Sequence, residues 1–203
     1  IIVVRAAGNA GFKIDVPGSP GEIRDYDNFF VSSIYGKNYY HRGASPMHPD
    51  AIIVGNLDSV AHSNGKDQRA NSSMAGPRVD IWAAGTEILA ACSNTNVMNA
   101  QPYQHGTPSE NTQYKQVNIS GTSMAAPMVS GAAAMLKSYF PDFTMSEIKE
   151  ILLKSAKPYK GTKQIKPGSE EEVDFGTLSQ TGSVIDLYNA VLMCLEKEAN
   201  SKK

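Results

Sequence analysis

Gly121-Thr122-Ser123-Met124-Ala125-Ala126-Pro127-Met128-Val129-Ser130-Gly131 is the stretch on which the reading of the 203-residue chain turns. A glycine-led turn delivers Ser123 onto the first turn of a helix, so its hydroxyl and its own backbone N–H sit at the positive end of the helix dipole. An anion developing on a substrate would be stabilised there. The small residues that follow, Ala125, Ala126 and Gly131 to Ala134, let that helix approach neighbouring backbone closely. A plain Ser cap on a buried helix is the ordinary reading of such a triplet, and the triplet alone does not separate the two.

Outward from this stretch the pattern is that of one α/β domain. Met124 to Phe140 is apolar at helical spacing and closed by Pro141; its near-absence of charge predicts an interior helix. Thr144-Met145-Ser146-Glu147 has the form of a capping box, opening a second helix to about Ala156. A third helical pattern runs from Ser183 to about Lys197, with Asp186 in its first turn. Upstream, Ile1 to Ala7, Ala51 to Gly55 and Val79 to Ala83 are short apolar runs that read as buried strands, and Gly85 to Cys92 has room for one more. Phe12 to Asp50 lacks a steady period and reads as loop with one short helix, its aromatics (Phe29 to Tyr40) packing half-buried rather than edging a cleft. Ser93 to Gln116 reads as a polar loop, and Lys157 to Gln180, with Glu170-Glu171-Glu172, as a solvated loop or hairpin.

Composition removes several classes of function. Nineteen Lys and Arg against twenty Asp and Glu leave a net charge of −1, so no strong field draws the chain to nucleic acid or an anionic membrane. No apolar run approaches the roughly 20 residues needed to cross a bilayer. Cys92 and Cys194 are the only cysteines, too few for a disulfide scaffold or a zinc cluster, and read as two free packed thiols in preference to one long-range bridge.

A second feature sharpens the first. Val3-Val4-Arg5-Ala6-Ala7-Gly8-Asn9-Ala10-Gly11 ends a strand in an asparagine held between glycines, where a side-chain amide can face an oxyanion; a turn Asn in the left-handed region is the plainer account. Histidine order then limits the alternatives. His41, His48, His62 and His105 all precede Ser123, so the Ser-acid-His order of α/β-hydrolases is excluded within this chain. His41 and Asp58 formally supply a chymotrypsin-like order, but the strand-and-helix pattern is wrong for a β-barrel protease. His105-Gly106-Thr107-Pro108 reads as surface loop, and His48 as structural.

Four stretches in order, residues 3–11, 48–55 (His-Pro-Asp-Ala-Ile-Ile-Val-Gly), 71–85 (Asn-Ser-Ser-Met-Ala-Gly-Pro-Arg-Val-Asp-Ile-Trp-Ala-Ala-Gly) and 121–131, resemble the C-terminal half of the catalytic domain of subtilisin-like serine proteases, or subtilases. The resemblance implies a three-layer α/β sandwich with a mainly parallel sheet and a central buried helix after the nucleophile. Residues 1–199 would form the C-terminal part of one peptidase domain, with 200–203 a frayed tail. It implies Ser123 as nucleophile and the Asn9 side-chain amide with the Ser123 N–H as oxyanion hole. Ala6, Ala7 and Gly8, with Thr122, would bind substrate. Met128 stands where the family commonly has His, and Ala84 where it commonly has Pro; neither change removes a group the reaction needs.

The family's Asp and His-Gly-Thr-His motifs both lie upstream of the oxyanion asparagine. The expectation is therefore that this chain comes from a longer polypeptide whose N-terminal part supplies the base and its orienting acid, and that the segment alone is nearly inert. Asp80 lies where some subtilases place a weak cation ligand, but one carboxylate is no calcium site, and no metal or cofactor is expected. A polypeptide substrate and a secreted or cell-envelope setting follow from the resemblance. The competing reading is a non-catalytic relic that keeps the fold and binds peptides or a partner chain.

Overall fold

The computed structural model describes residues 1–11, 14, 29–32, 37–40, 51–58, 67–92, 115–159, 163–165 and 170–201. In chain order the elements are β1 (Val4–Ala6), β2 (Phe29–Ser32), β3 (Lys37–Tyr40), β4 (Ile52–Asp58), β5 (Gln68–Arg69), β6 (Ile81–Ala84), β7 (Ile88–Cys92), β8 (Lys115–Ile119), α1 (Thr122–Tyr139) and α2 (Met145–Ser155). There follow β9 (Lys157–Pro158), β10 (Gln164–Ile165), β11 (Glu172–Val173), a 3-10 turn at Phe175–Leu178, β12 (Ser183–Val184) and α3 (Leu187–Ser201).

The main sheet has the order β1-β4-β6-β12-β9, with β5 paired to β4. Its β1/β4, β4/β6 and β6/β12 pairs are parallel, while β5 and β9 run antiparallel at its margins. A mainly parallel sheet is covered on both faces, which is why β4 reads as a continuous apolar run instead of alternating. Its alternation is spatial. Ile52 and Val54 face the helices with Ile81 and Ala83 of β6, and Ile53 and Leu57 face the opposite layer with Trp82.

On the helical side α1 lies across β1, β4 and β6 and packs against α2 and α3. Thr122, Ala125, Val129, Ala132, Ala133 and Leu136 recur at helical spacing and are buried. The interior placement expected of this helix holds along that stripe, while Met128, Met135 and Tyr139 are 44%, 49% and 74% exposed. Only one face meets the sheet, and among the described residues nothing covers the other. The opposite layer is built from the 3-10 turn and connecting segments, with Phe175 and Leu178 buried against Ile53 and Trp82. The stretch expected as a solvated loop thus carries core residues, although Glu170 to Glu172 are exposed as a charge run should be.

Other differences are local. Ser183–Val184 joins the sheet between β6 and β9, so α3 starts later than its helical pattern suggests, and Asp186 precedes the helix, accepting from Asn189 N at 3.0 Å. Asn200 and Ser201 belong to α3. Phe29–Ser32 and Lys37–Tyr40 pair antiparallel inside the segment read as loop; the short helix expected there lies outside the described residues. Lys115–Ile119, whose first two residues close the stretch read as polar loop, is a strand paired antiparallel with β7. Cys194 is a free, buried thiol, while the Cys92 side chain lies outside what is described.

Asp80 has a structural partner. Its Oδ2 accepts from Ile53 N at 2.6 Å and from Arg78 Nη1 at 3.0 Å, and Arg78 Nη2 donates to Ala51 O at 3.3 Å, so the pair ties the start of β4 to that of β6. Burial nevertheless pushes the carboxyl above its ordinary range, outweighing the Ile53 N–H and the guanidinium.

The capping box forms as expected. Glu147 N donates to Thr144 Oγ1 at 3.2 Å, and Thr144 N and Oγ1 donate to Glu147 Oε2 at 2.7 and 2.8 Å. Lys197 of α3 reaches the other oxygen at 2.7 Å. Its hydrogen bond, then those from Thr144, hold the Glu147 carboxyl down at about 2 against an ordinary 4.5. A depressed folded-state pKa contributes stability above the unfolded value and loses it as pH falls through the folded one. The thermal midpoint of the native protein should therefore exceed that of Glu147→Gln near neutrality. The gap should close as pH drops from 4.5 towards about 2; a gap independent of pH would break the assignment.

Candidate active site

β1 ends at Ala6, and the chain turns through Gly8, whose φ of 113° suits glycine. Ala7 N donates to Val54 O at 2.9 Å and Met74 N to Gly8 O at 2.9 Å, so the turn is anchored to β4 and to the segment after β5. This brings Asn9 to the N-terminus of α1, 113 positions later in the chain. Asn9 Oδ1 accepts from Thr122 N at 2.9 Å and from Thr122 Oγ1 at 3.0 Å. Thr122 Oγ1 in turn accepts from Gly8 N at 3.1 Å.

These three bonds fix the asparagine. Gly8 N–H donates to the threonine hydroxyl, which passes its own hydrogen to Asn9 Oδ1 beside the Thr122 N–H. Rotating the amide by half a turn would set its NH2 against that N–H, donor on donor. The oxygen is thus committed to Thr122, and Nδ2 keeps its hydrogens for another acceptor. Nδ2 also lies 3.2 Å from where a Cβ on Gly121 would sit, so Gly121 leaves the room the amide occupies.

Ser123 is the second residue of α1 and exposed, as is Asn9. The first N–H groups of a helix have no intrahelical acceptor. Here Thr122 N goes to Asn9, and Met124 N donates to Gly121 O at 2.9 Å. The Ser123 N–H finds no acceptor among the described residues. The N-terminal turn of α1 thus carries an exposed Ser123 with an unengaged N–H, and Asn9, with its NH2 free to donate, is bonded to the residue just before it.

The other side of the turn is held as firmly. Gly121 N donates to Gly85 O at 2.8 Å, and Glu87 N donates to Ser120 Oγ at 2.8 Å. Gly85 has no space for a side chain: a Cβ there would lie 2.7 Å from both Asn56 Oδ1 and Gly121 O, and 2.9 Å from Ala125 N.

The residues expected to meet substrate divide. Ala6 and Gly8 are half-buried beside the turn. Ala7 is fully buried, its side chain packed with Ile53 and Trp82, so it cannot touch a ligand through its methyl group. Thr122 is also fully buried, with its hydroxyl spent on Gly8 and Asn9. Its side chain orients the asparagine and has no surface open to a ligand. The relay through Thr122, the Gly85 contact and the Glu87–Ser120 bond have no local signature in the sequence beyond the glycines themselves. His41, His48, His62 and His105 lie outside the described residues. Among the described residues no group of three His, Cys, Asp or Glu side chains is placed to hold a metal, and no helix is long and apolar enough to cross a membrane.

Residues 1–180 match the model of the subtilase family. The chain belongs to that family. Among curated subtilase relatives, mycosin-4 of Mycobacterium tuberculosis is 30% identical over 149 residues, 72% of this chain and 27% of that protein. The subtilisin-like protease SBT4.3 of Arabidopsis thaliana is 37% identical over 98 residues, 48% of this chain and 12% of that protein. The chain thus spans about a quarter or less of these two relatives' length. The subtilase fold recurs in solved structures at 20% identity. Fervidolysin from Fervidobacterium pennivorans, a keratinolytic enzyme related to subtilisin, aligns with a TM-score of 0.58 over 95% of this chain and 22% of its own. A chain of the subtilase cytotoxin SubAB assembly aligns at 0.56 over 97% of this chain and 49% of its own.

Proposed function

We propose that this chain carries the nucleophile and oxyanion hole of a serine endopeptidase. Ser123 Oγ attacks the carbonyl carbon of a peptide bond while a histidine takes its proton; the carbonyl oxygen becomes an oxyanion held by the Ser123 N–H and Asn9 Nδ2. Collapse expels the amine, which leaves with the proton from the histidine, and water then hydrolyses the acyl-Ser123 ester by the same path in reverse. The observation that carries this reading is the commitment of Asn9 Oδ1 to Thr122, the residue before an exposed Ser123, which leaves the amide NH2 free to donate.

The histidine and its orienting aspartate come from polypeptide that precedes this chain in its parent, in line with where the family's motifs lie. Two features suit such a partner. β1 is paired only on its β4 side among the described residues, leaving an edge able to take another strand. Beside that edge a cleft of about 220 Å³ is walled by Ile2 and Val4 and by Ala133 and Ala134 of α1. A secreted or envelope location is the setting this reading implies.

Treating the full-length parent with a biotinylated fluorophosphonate and mapping the adduct by peptide mass spectrometry tests the proposal. The adduct should fall on Ser123 and be absent after heat denaturation. Native protein that takes no label would favour the non-catalytic relic, and an adduct at another serine would remove Ser123 from the nucleophile's role.

A further inference from the structure

β4 is buried from Ile52 to Leu57, and Asn56 is the one polar side chain in that run, fully inaccessible. Its backbone is satisfied, with Asn56 N donating to Ser73 Oγ at 2.9 Å and Ala70 N donating to Asn56 O at 3.0 Å. Its side chain is not: Oδ1 accepts from Thr86 Oγ1 at 3.3 Å, while Nδ2 has no acceptor among the described residues. A buried donor left unmade costs stability, and an apolar residue of the same shape would avoid that cost. Such a group calls for an account other than packing.

The place of the side chain supplies one. Thr86 lies between the two residues that grip the turn before Ser123: Gly85 O accepts from Gly121 N, and Glu87 N donates to Ser120 Oγ. Glu87 holds a left-handed φ of 54°, uncommon for a residue with a side chain. Asn56 also borders Gly85, where a Cβ would fall 2.7 Å from its Oδ1.

We propose that Asn56 is a positioning residue for the nucleophile: by pinning the Thr86 hydroxyl from inside the sheet it sets Gly85 and Glu87, and through them the turn that aims Ser123 at the oxyanion hole. It does not touch substrate. The inference rests on the hydrolase reading above, and its test separates the two.

The full-length parent is compared with its Asn56→Leu and Thr86→Val forms, the active sites being counted by fluorophosphonate titration so that kcat refers to labelled enzyme only. Asn56→Leu should lower kcat on the order of tenfold, within the range a small misplacement of reacting groups produces, with KM within about twofold and the thermal midpoint unchanged or raised. Thr86→Val cuts the same bond from a half-buried surface position and should reproduce the kcat loss. The double variant should lose no more than either alone, and Thr86→Ser, which keeps the hydroxyl, should restore kcat. An unchanged kcat per titrated site in Thr86→Val, or additive losses in the double variant, would overturn the proposal even where Asn56→Leu fails to fold. If the unsubstituted parent itself takes no label, the hydrolase reading has failed, and this inference with it.

Discussion

Replacing Ser123 with Ala in the full-length parent should lower kcat on the order of a million-fold with KM little changed, the loss that removing the nucleophile causes in subtilisin. Nothing in the fold should suffer. Ser123 is exposed, and the bonds that seat the turn run through Thr122, Gly121 and Ser120 and not through its hydroxyl. Asn9→Ala should cost less, roughly 2.7–4 kcal/mol of transition-state stabilisation, again a figure taken from the matching donor in subtilisin. The two losses should not add. Without the serine no tetrahedral adduct forms on it, so the amide has no serine-derived oxyanion left to hold, and the double variant should fall only to the Ser123→Ala level. Turnover of a chromogenic peptide by each form, read with circular dichroism to check folding, decides this. A Ser123→Ala form that keeps more than about a thousandth of the parental rate would require another nucleophile.

What the sequence discloses about this architecture depends on how local the cause is. The Thr144–Glu147 capping box is a four-residue device, and it forms with both of its reciprocal bonds. β4 and β6 are recognisable because both faces are buried along several consecutive residues. Ser183–Val184 is too short to show any period, and its strand character comes from lying between β6 and β9. Phe175 and Leu178 gain their burial from Trp82 and Ile53, which no window around residue 175 contains. The one-sided burial of α1 was hidden for a different reason. Its apolar composition is nearly uniform around the helix, so the pattern does not tell the face against the sheet from the face left open. At the candidate site, the motifs single out the serine and the asparagine as candidates, but the relay orienting the amide joins residues 8, 9 and 122 across the fold. That contact is a product of topology and has no trace in either stretch.

Trp82→Ala should be the most destabilising single core substitution, at about 3–5 kcal/mol. The indole is fully buried and stands opposite Gly55 in the parallel β4/β6 register. Its far side meets Phe175 at 5.1 Å between ring centroids, and Phe175 meets Tyr159 edge-on at 4.7 Å. Truncation would open a cavity in the layer that faces away from the helices, where short connecting segments with little regular structure of their own must fill it. The same contact makes Gly55 obligatory. A Cβ there would fall 2.4 Å from Trp82 Cε3 and Cζ3, far inside van der Waals contact, and the fully buried indole has little room to retreat. Gly55→Ala should thus cost about 3 kcal/mol, the upper end of ordinary overpacking. The two should be strongly coupled, because in a Trp82→Ala background the added methyl group occupies the space the ring has vacated. Urea unfolding of the two single variants and the double variant measures that coupling directly. If Gly55→Ala were equally destabilising with and without the indole, the close approach of the ring to the backbone would not be what fixes glycine at this position.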